Sequence, residues 1–116
     1  MALEPRITFR HLQPSAAMEE LVREKTAKLL RLHEKISSCE VVIEEPHRSH
    51  KKGDLFHVRV HLVVPGGEIV VVRDPTEATE HEDPKIAIRD AFEAARKQLL
   101  AHMRRRRVEP RRDAAE

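Results

Sequence analysis

With 116 residues, 40% hydrophobic and 36% charged, the chain has room for one domain with one modest core under a heavily ionised surface. Cys39 is the only cysteine, which excludes a disulfide framework and a cysteine-based zinc site and leaves it as a small apolar side chain for a strand interior. The net charge of +2 conceals a segregation: Glu68 to Pro84 carries six acids against one base, and Lys85 to Arg112 ten bases against three acids. That is the footprint of a polyanion binder, although a solvated, partly disordered basic tail has the same composition.

The N-terminal MALEPRITFR has no long apolar region, so no signal peptide is expected. No run approaches the roughly 20 apolar residues of a membrane helix, and the expected location is cytoplasmic. Arg6 to Leu12 reads as a first strand, with Ile7 and Phe9 on one side. Pro14-Ser15 opens a helix: Ser15 is a good N-cap, and Glu19 and Glu20 lie in the positive first turns. The helix runs to about His33 with Met18, Leu21, Val22, Leu29 and Leu32 on one face, and Glu19/Arg23 and Glu24/Lys28 pair four apart. Cys39 to Glu45 is a second strand rich in β-branched residues.

Pro46 to Asp54 (PHRSHKKGD) is a loop. Leu55 to Val64 alternates, with Phe56, Val58, Val60, Leu62 and Val64 on one side and His57, Arg59, His61 and Val63 on the other, the pattern of a strand with one covered face. Pro65-Gly66-Gly67 turns into a fourth strand, Glu68 to Arg73, and an acidic loop follows to Glu82. Asp83-Pro84 starts a second helix that runs to about Arg104, with Ile88, Ala91, Phe92, Ala95, Leu99 and Met103 as its stripe. Four consecutive arginines from Arg104 disfavour order, so fraying is expected beyond about Met103, and EPRRDAAE is expected to be disordered. The predicted fold is α+β, in the order β-α-β-β-β-α, with a four-stranded sheet and two helices packed on one face. Residues 1–108 form a single domain and 109–116 a tail.

Lys25 projects between Val22 and Leu29, inside the apolar stripe of the first helix. It either snorkels from the edge of the stripe or faces a groove beside or between the helices. Lys28, Arg31 and Lys35 adjoin it. On the second helix Lys85, Arg89, Arg96 and Arg104 share one flank, and Lys97 and Arg105 to Arg107 widen the charge. Two such flanks on neighbouring helices form a channel for a phosphate backbone; either one alone reads as a solvated face. Phe9, Phe56 and Phe92 are the only aromatics, too few for base-stacking platforms, so RNA contacts should be mainly to phosphate.

Metal and catalytic readings find little support. His57 and His61 are about 13 Å apart on one strand face, too far to share an ion, and His47 and His50 have no cysteine partner nearby in sequence. Ser15, Ser37, Ser38 and Ser49 have no nucleophile elbow or triad context, and Gly53, Gly66 and Gly67 are turn residues rather than a phosphate-cradling loop. No enzyme, cofactor, metal or small-molecule substrate is expected.

The blocks ITFRHLQPSAAMEELVREKTAKLLRL, ISSCEVVIEE, VRVHLVVPGGEIVV and DPKIAIRDAFEAARKQLLAHMRRR resemble the short hibernation-promoting factor and ribosome-associated inhibitor family from Arg6 to Arg105. The resemblance implies a non-catalytic protein bound to rRNA phosphates in the small-subunit channel of messenger and transfer RNA. It would inhibit translation in stress or stationary phase, and the free protein would be a monomer. Lys25, Lys28 and Lys97 match basic positions of that family. Lys85 stands in place of an aromatic and Arg89 in place of an acid. No dimerisation domain of the long-form kind follows, so pairing through one is not expected. Two other readings stay open: a generic double-stranded RNA-binding module, and a regulatory domain that binds protein through the sheet face bearing His57, Arg59 and His61.

Overall fold

A computed structural model describes residues 3–45, 56–74 and 83–108, with the side chains of Arg107 and Val108 left aside. The elements follow the expected order: β1 (Arg6–Arg10), α1 (Ala16–Leu32), β2 (Ser38–Glu44), β3 (His57–Val64), β4 (Gly67–Arg73) and α2 (Pro84–Val108). They form one sheet in the order β1-β2-β3-β4. β1 runs parallel to β2, with Ile7 opposite Val41, which the α1 crossover permits. The other pairs are antiparallel, Val41 facing Val60 and Val60 facing Val71.

Alternation decides which face is covered. Cys39, Val41, Ile43, Val58, Val60, Leu62, Val64, Ile69 and Val71 are buried, and they share one core with Leu21, Val22 and Leu29 of α1 and Ala87, Ile88, Ala91, Phe92, Ala95 and Leu99 of α2. Both helices therefore cover the same sheet face. Each fully buried Val or Leu contributes about 1.5–3 kcal/mol relative to exposure. The opposite face keeps Arg59 exposed, together with Val70 and Val72 at 42% and 56%.

The helix starts follow their capping chemistry. Ser15 is extended and its Oγ accepts from the Met18 N–H at 3.2 Å. Asp83 Oδ1 accepts from the Lys85 N–H at 2.9 Å, with Pro84 at the first helical position. At the hairpin, Gly66 takes φ +85 beside Pro65, the combination a type II turn requires.

Four expectations need correction. β1 ends at Arg10, two residues early, because His11 turns to φ 63 and leaves the strand. Phe9, expected in the core, is only half-buried: β1 is an edge strand, flanked by β2 alone among the described residues. Lys25 is not within the buried stripe; Thr26, 2% exposed, fills that place between Val22 and Leu29, and its Oγ1 lies 3.6 Å from Cys39 Sγ. Finally, α2 continues four residues past Arg104. Its last turns lean on the hairpin: His102 Nε2 donates to the Pro65 carbonyl at 2.9 Å, and the Arg106 guanidinium lies over Gly66. The loop Pro46 to Asp54, most of the acidic loop and the segment EPRRDAAE lie outside the described residues.

Candidate nucleic-acid interface

α1 and α2 lie side by side on the sheet and run in the same direction, because each returns against the strand that precedes it. Lys25 is thus close enough to Glu93 for their charges to interact, and His33 to His102 one end further along. Between the helices lies a groove of about 250 Å³ walled by Lys25, Lys28, Arg89, Glu93 and Arg96, with Leu29 and Phe92 beneath, each 3% exposed. The apolar floor is the seam where the two amphipathic stripes meet. The basic walls are the flanks of those stripes, and this placement follows from helical periodicity.

Lys25 is half-buried at the groove wall, and Lys28, Arg89 and Arg96 are exposed along it. Lys28 Nζ is 3.9 Å from Glu24, one turn back on α1. Arg31, Lys85, Lys97 and Arg104 are exposed but do not wall the groove. They lengthen the basic track instead: Lys85 and Arg104 are about 28 Å apart along α2 at the helical rise. The groove thus gathers four of the eight residues singled out from the sequence and leaves four on its approaches.

Glu93 was not anticipated. Arg96 grips it with both arms of the guanidinium, Nε to Oε1 at 3.2 Å and Nη2 to Oε2 at 2.9 Å. These hydrogen bonds hold the Glu93 carboxyl below its usual range, with partial desolvation opposing them and the charges of Arg96, Lys97 and Lys25 adding to them. The same pairing raises Arg96. The three-residue spacing of Glu93 and Arg96 was visible in the sequence, but only as one of many surface pairs.

The opposite sheet face has a different chemistry. His57 Nδ1 meets Asp74 Oδ1 at 2.7 Å, and His61 Nε2 meets Glu68 Oε1 at 2.5 Å. Among the described residues no three His, Cys, Asp or Glu side chains gather to hold a metal ion, and His47 and His50 lie outside them. No described helix is long and apolar enough to cross a membrane.

The family described as sigma 54 modulation protein / S30EA ribosomal protein matches residues 6–107. The fold is similar to the N-terminal domain of Thermus thermophilus Protein Y, with TM-score 0.62 and 22% identity over 84% of this chain and 94% of that one. It is also similar to a ribosomal subunit interface protein from Coxiella burnetii, with TM-score 0.66 and 17% identity over 85% of this chain and 96% of that one. No match is found among curated protein sequences.

Proposed function

The chain belongs to the sigma 54 modulation protein / S30EA ribosomal protein family, that of the hibernation-promoting factors, and on that footing we propose that it binds the small ribosomal subunit. It occupies the channel where messenger and transfer RNA would lie and inhibits translation in stress or stationary phase by steric exclusion, without catalysis. The unit that binds is residues 1–108, acting in the cytoplasm as a monomer when free, with 109–116 as a tail. The name of the Coxiella burnetii protein, a ribosomal subunit interface protein, supports a ribosomal partner.

The observation that carries this reading is the inter-helix groove, where Lys25 and Lys28 of one helix face Arg89 and Arg96 of the other. Its basic approaches extend beyond it towards Lys85 at one end and Arg104 at the other. A phosphate backbone lying along this track meets a row of cations and releases its condensed counterions, so binding depends steeply on salt. Base stacking has no aromatic platform to use, so affinity rests on backbone and shape.

The test is co-sedimentation of the full chain with purified small subunits across a salt series, with a generic RNA duplex as competitor. Saturable binding to the subunit that survives excess duplex supports the reading. Equal competition by duplex favours a generic RNA-binding module. A second reading draws on Val70 and Val72, exposed beside Arg59 on the open sheet face: a regulatory domain that docks protein there. Its binding would change little with salt.

A further inference from the structure

The groove is a basic site with one acid built into it. Four cations wall it, and among the described residues Glu93 is the sole carboxylate that lines it. That carboxylate does not stand apart from the cations. It takes the two-point grip of Arg96 at 3.2 and 2.9 Å, and Lys25 and Lys97 bias it from either side. The planar guanidinium fork fits a carboxylate and a phosphate with the same geometry, so the two ligands compete for one seat. We propose that Glu93 is an internal stand-in for phosphate, holding the Arg96 guanidinium in the free protein and yielding it to a backbone phosphate of RNA, so that it restrains the affinity of the groove for RNA.

The inference rests on the reading that this groove receives RNA backbone. Its energetics are those of exchange. An incoming phosphate gains Arg96 only by breaking the Glu93 pair, and it then sits near the released carboxylate. A ligand that offers one or two phosphates at a time recovers little of that cost. A rigid RNA that presents several phosphates along the whole track recovers it through Lys25, Lys28, Arg89 and the residues beyond. The carboxylate thus lowers affinity for every polyanion that takes Arg96, and by about the same factor, because the pair to be broken is the same.

The test compares wild type, Glu93→Gln, Glu93→Asp and Glu68→Gln. Glu68→Gln removes the same charge on the opposite sheet face. Each full-length protein is titrated with a fluorescent twelve-nucleotide oligouridylate and with purified small subunits across a salt series. Glu93→Gln should bind the oligouridylate about threefold or more tighter than wild type, with its log–log salt slope steeper by about 0.7, the value of one more phosphate contact on a single strand. Its gain on the small subunit should be similar, Glu93→Asp should stay near wild type, and Glu68→Gln should move neither ligand by as much. A gain no larger than that of Glu68→Gln overturns the exchange. Weaker binding by Glu93→Gln overturns the exchange and marks the carboxylate as a direct acceptor from RNA. If wild type fails to bind small subunits the functional reading falls, yet the oligouridylate comparison still decides whether Glu93 competes with phosphate for Arg96.

Discussion

His102 Nε2, near the end of α2, lies 2.9 Å from the carbonyl oxygen of Pro65, in the turn between β3 and β4. A carbonyl only accepts, so Nε2 carries the proton. This bond, with Arg106 lying over Gly66, joins the last turns of the long helix to the tip of the hairpin. Two variants probe the clasp. His102→Leu removes the donor and should cost about 1 kcal/mol. Gly66→Ala must hold φ +85 with a Cβ and displace the Arg106 guanidinium, whose Nη1 would sit 2.7 Å away, and should cost about 1–2 kcal/mol. Urea denaturation measures both, and hydrogen exchange should show the loss of protection concentrated in the last turns of α2. A uniform loss through the sheet would mean that the clasp has no local role.

A second prediction concerns acid. Burial pushes His33 below the ordinary histidine value, and the electrostatic influence of His102 and of Lys35 acts the same way. Its Nδ1 also accepts the Lys35 N–H at 3.3 Å, a bond that protonation would break. The folded protein therefore favours neutral His33. As pH falls below about 6.5 the unfolded chain takes up the proton first, and stability declines. The fall in urea midpoint between pH 7 and pH 5 should be smaller in His33→Gln than in wild type. Identical falls would remove His33 from the acid response.

These local contacts show which parts of the molecule were legible in the sequence. Strand alternation in β3 is complete, and every residue it assigned inward from Phe56 to Val64 is buried. Ser15 and Asp83 capped as expected, because a cap depends on neighbours two or three residues away. Thr26 escaped because its hydroxyl is buried against the sulfur of Cys39, a partner on another element that helix periodicity does not show. The extension of α2 escaped for the same reason: four arginines read as repulsion until Arg106 and His102 find the hairpin. In the groove, periodicity placed the bases on the flanks, but which of them share a wall depends on how closely the helices pack.

Cys39 offers a third prediction. Burial raises its thiol above the usual value, with the hydrogen bond to Thr26 opposing the shift. The fold thus keeps the thiol protonated. As pH rises through the ordinary thiol value the unfolded chain loses its proton first, and stability falls. Modification by an aromatic disulfide reagent at pH 8 should be at least about 100-fold slower in the native protein than in denaturant, since the thiolate forms only on opening. Rapid native labelling would show that β2 exposes Cys39 far more often than its 3% accessibility allows.

The last prediction separates the two roles open to Lys25. The side chain is half-buried at the wall of the groove, beside Leu29 and across from Arg89, Phe92 and Arg96. If it merely covers apolar surface with its stem, Lys25→Met keeps that cover, folds at least as stably and binds small subunits like wild type. If its ammonium meets phosphate, Lys25→Met still folds but loses one charge-assisted contact. That loss should cost about 1–3 kcal/mol of binding and lower the slope of log affinity against log salt by about one unit. Lys28→Met should behave alike, its tie to Glu24 at 3.9 Å being loose enough to exchange for a phosphate. Lys97→Met, on α2 and outside the groove wall, should lose less affinity while lowering the slope as well. Arg59→Ala, on the opposite sheet face, is the control and should bind like wild type. Binding of each variant to purified small subunits across a salt series decides between the faces. Wild-type binding by all three lysine variants, together with a loss for Arg59→Ala, would place the interface on the sheet and leave the groove as a seam between two solvated helices.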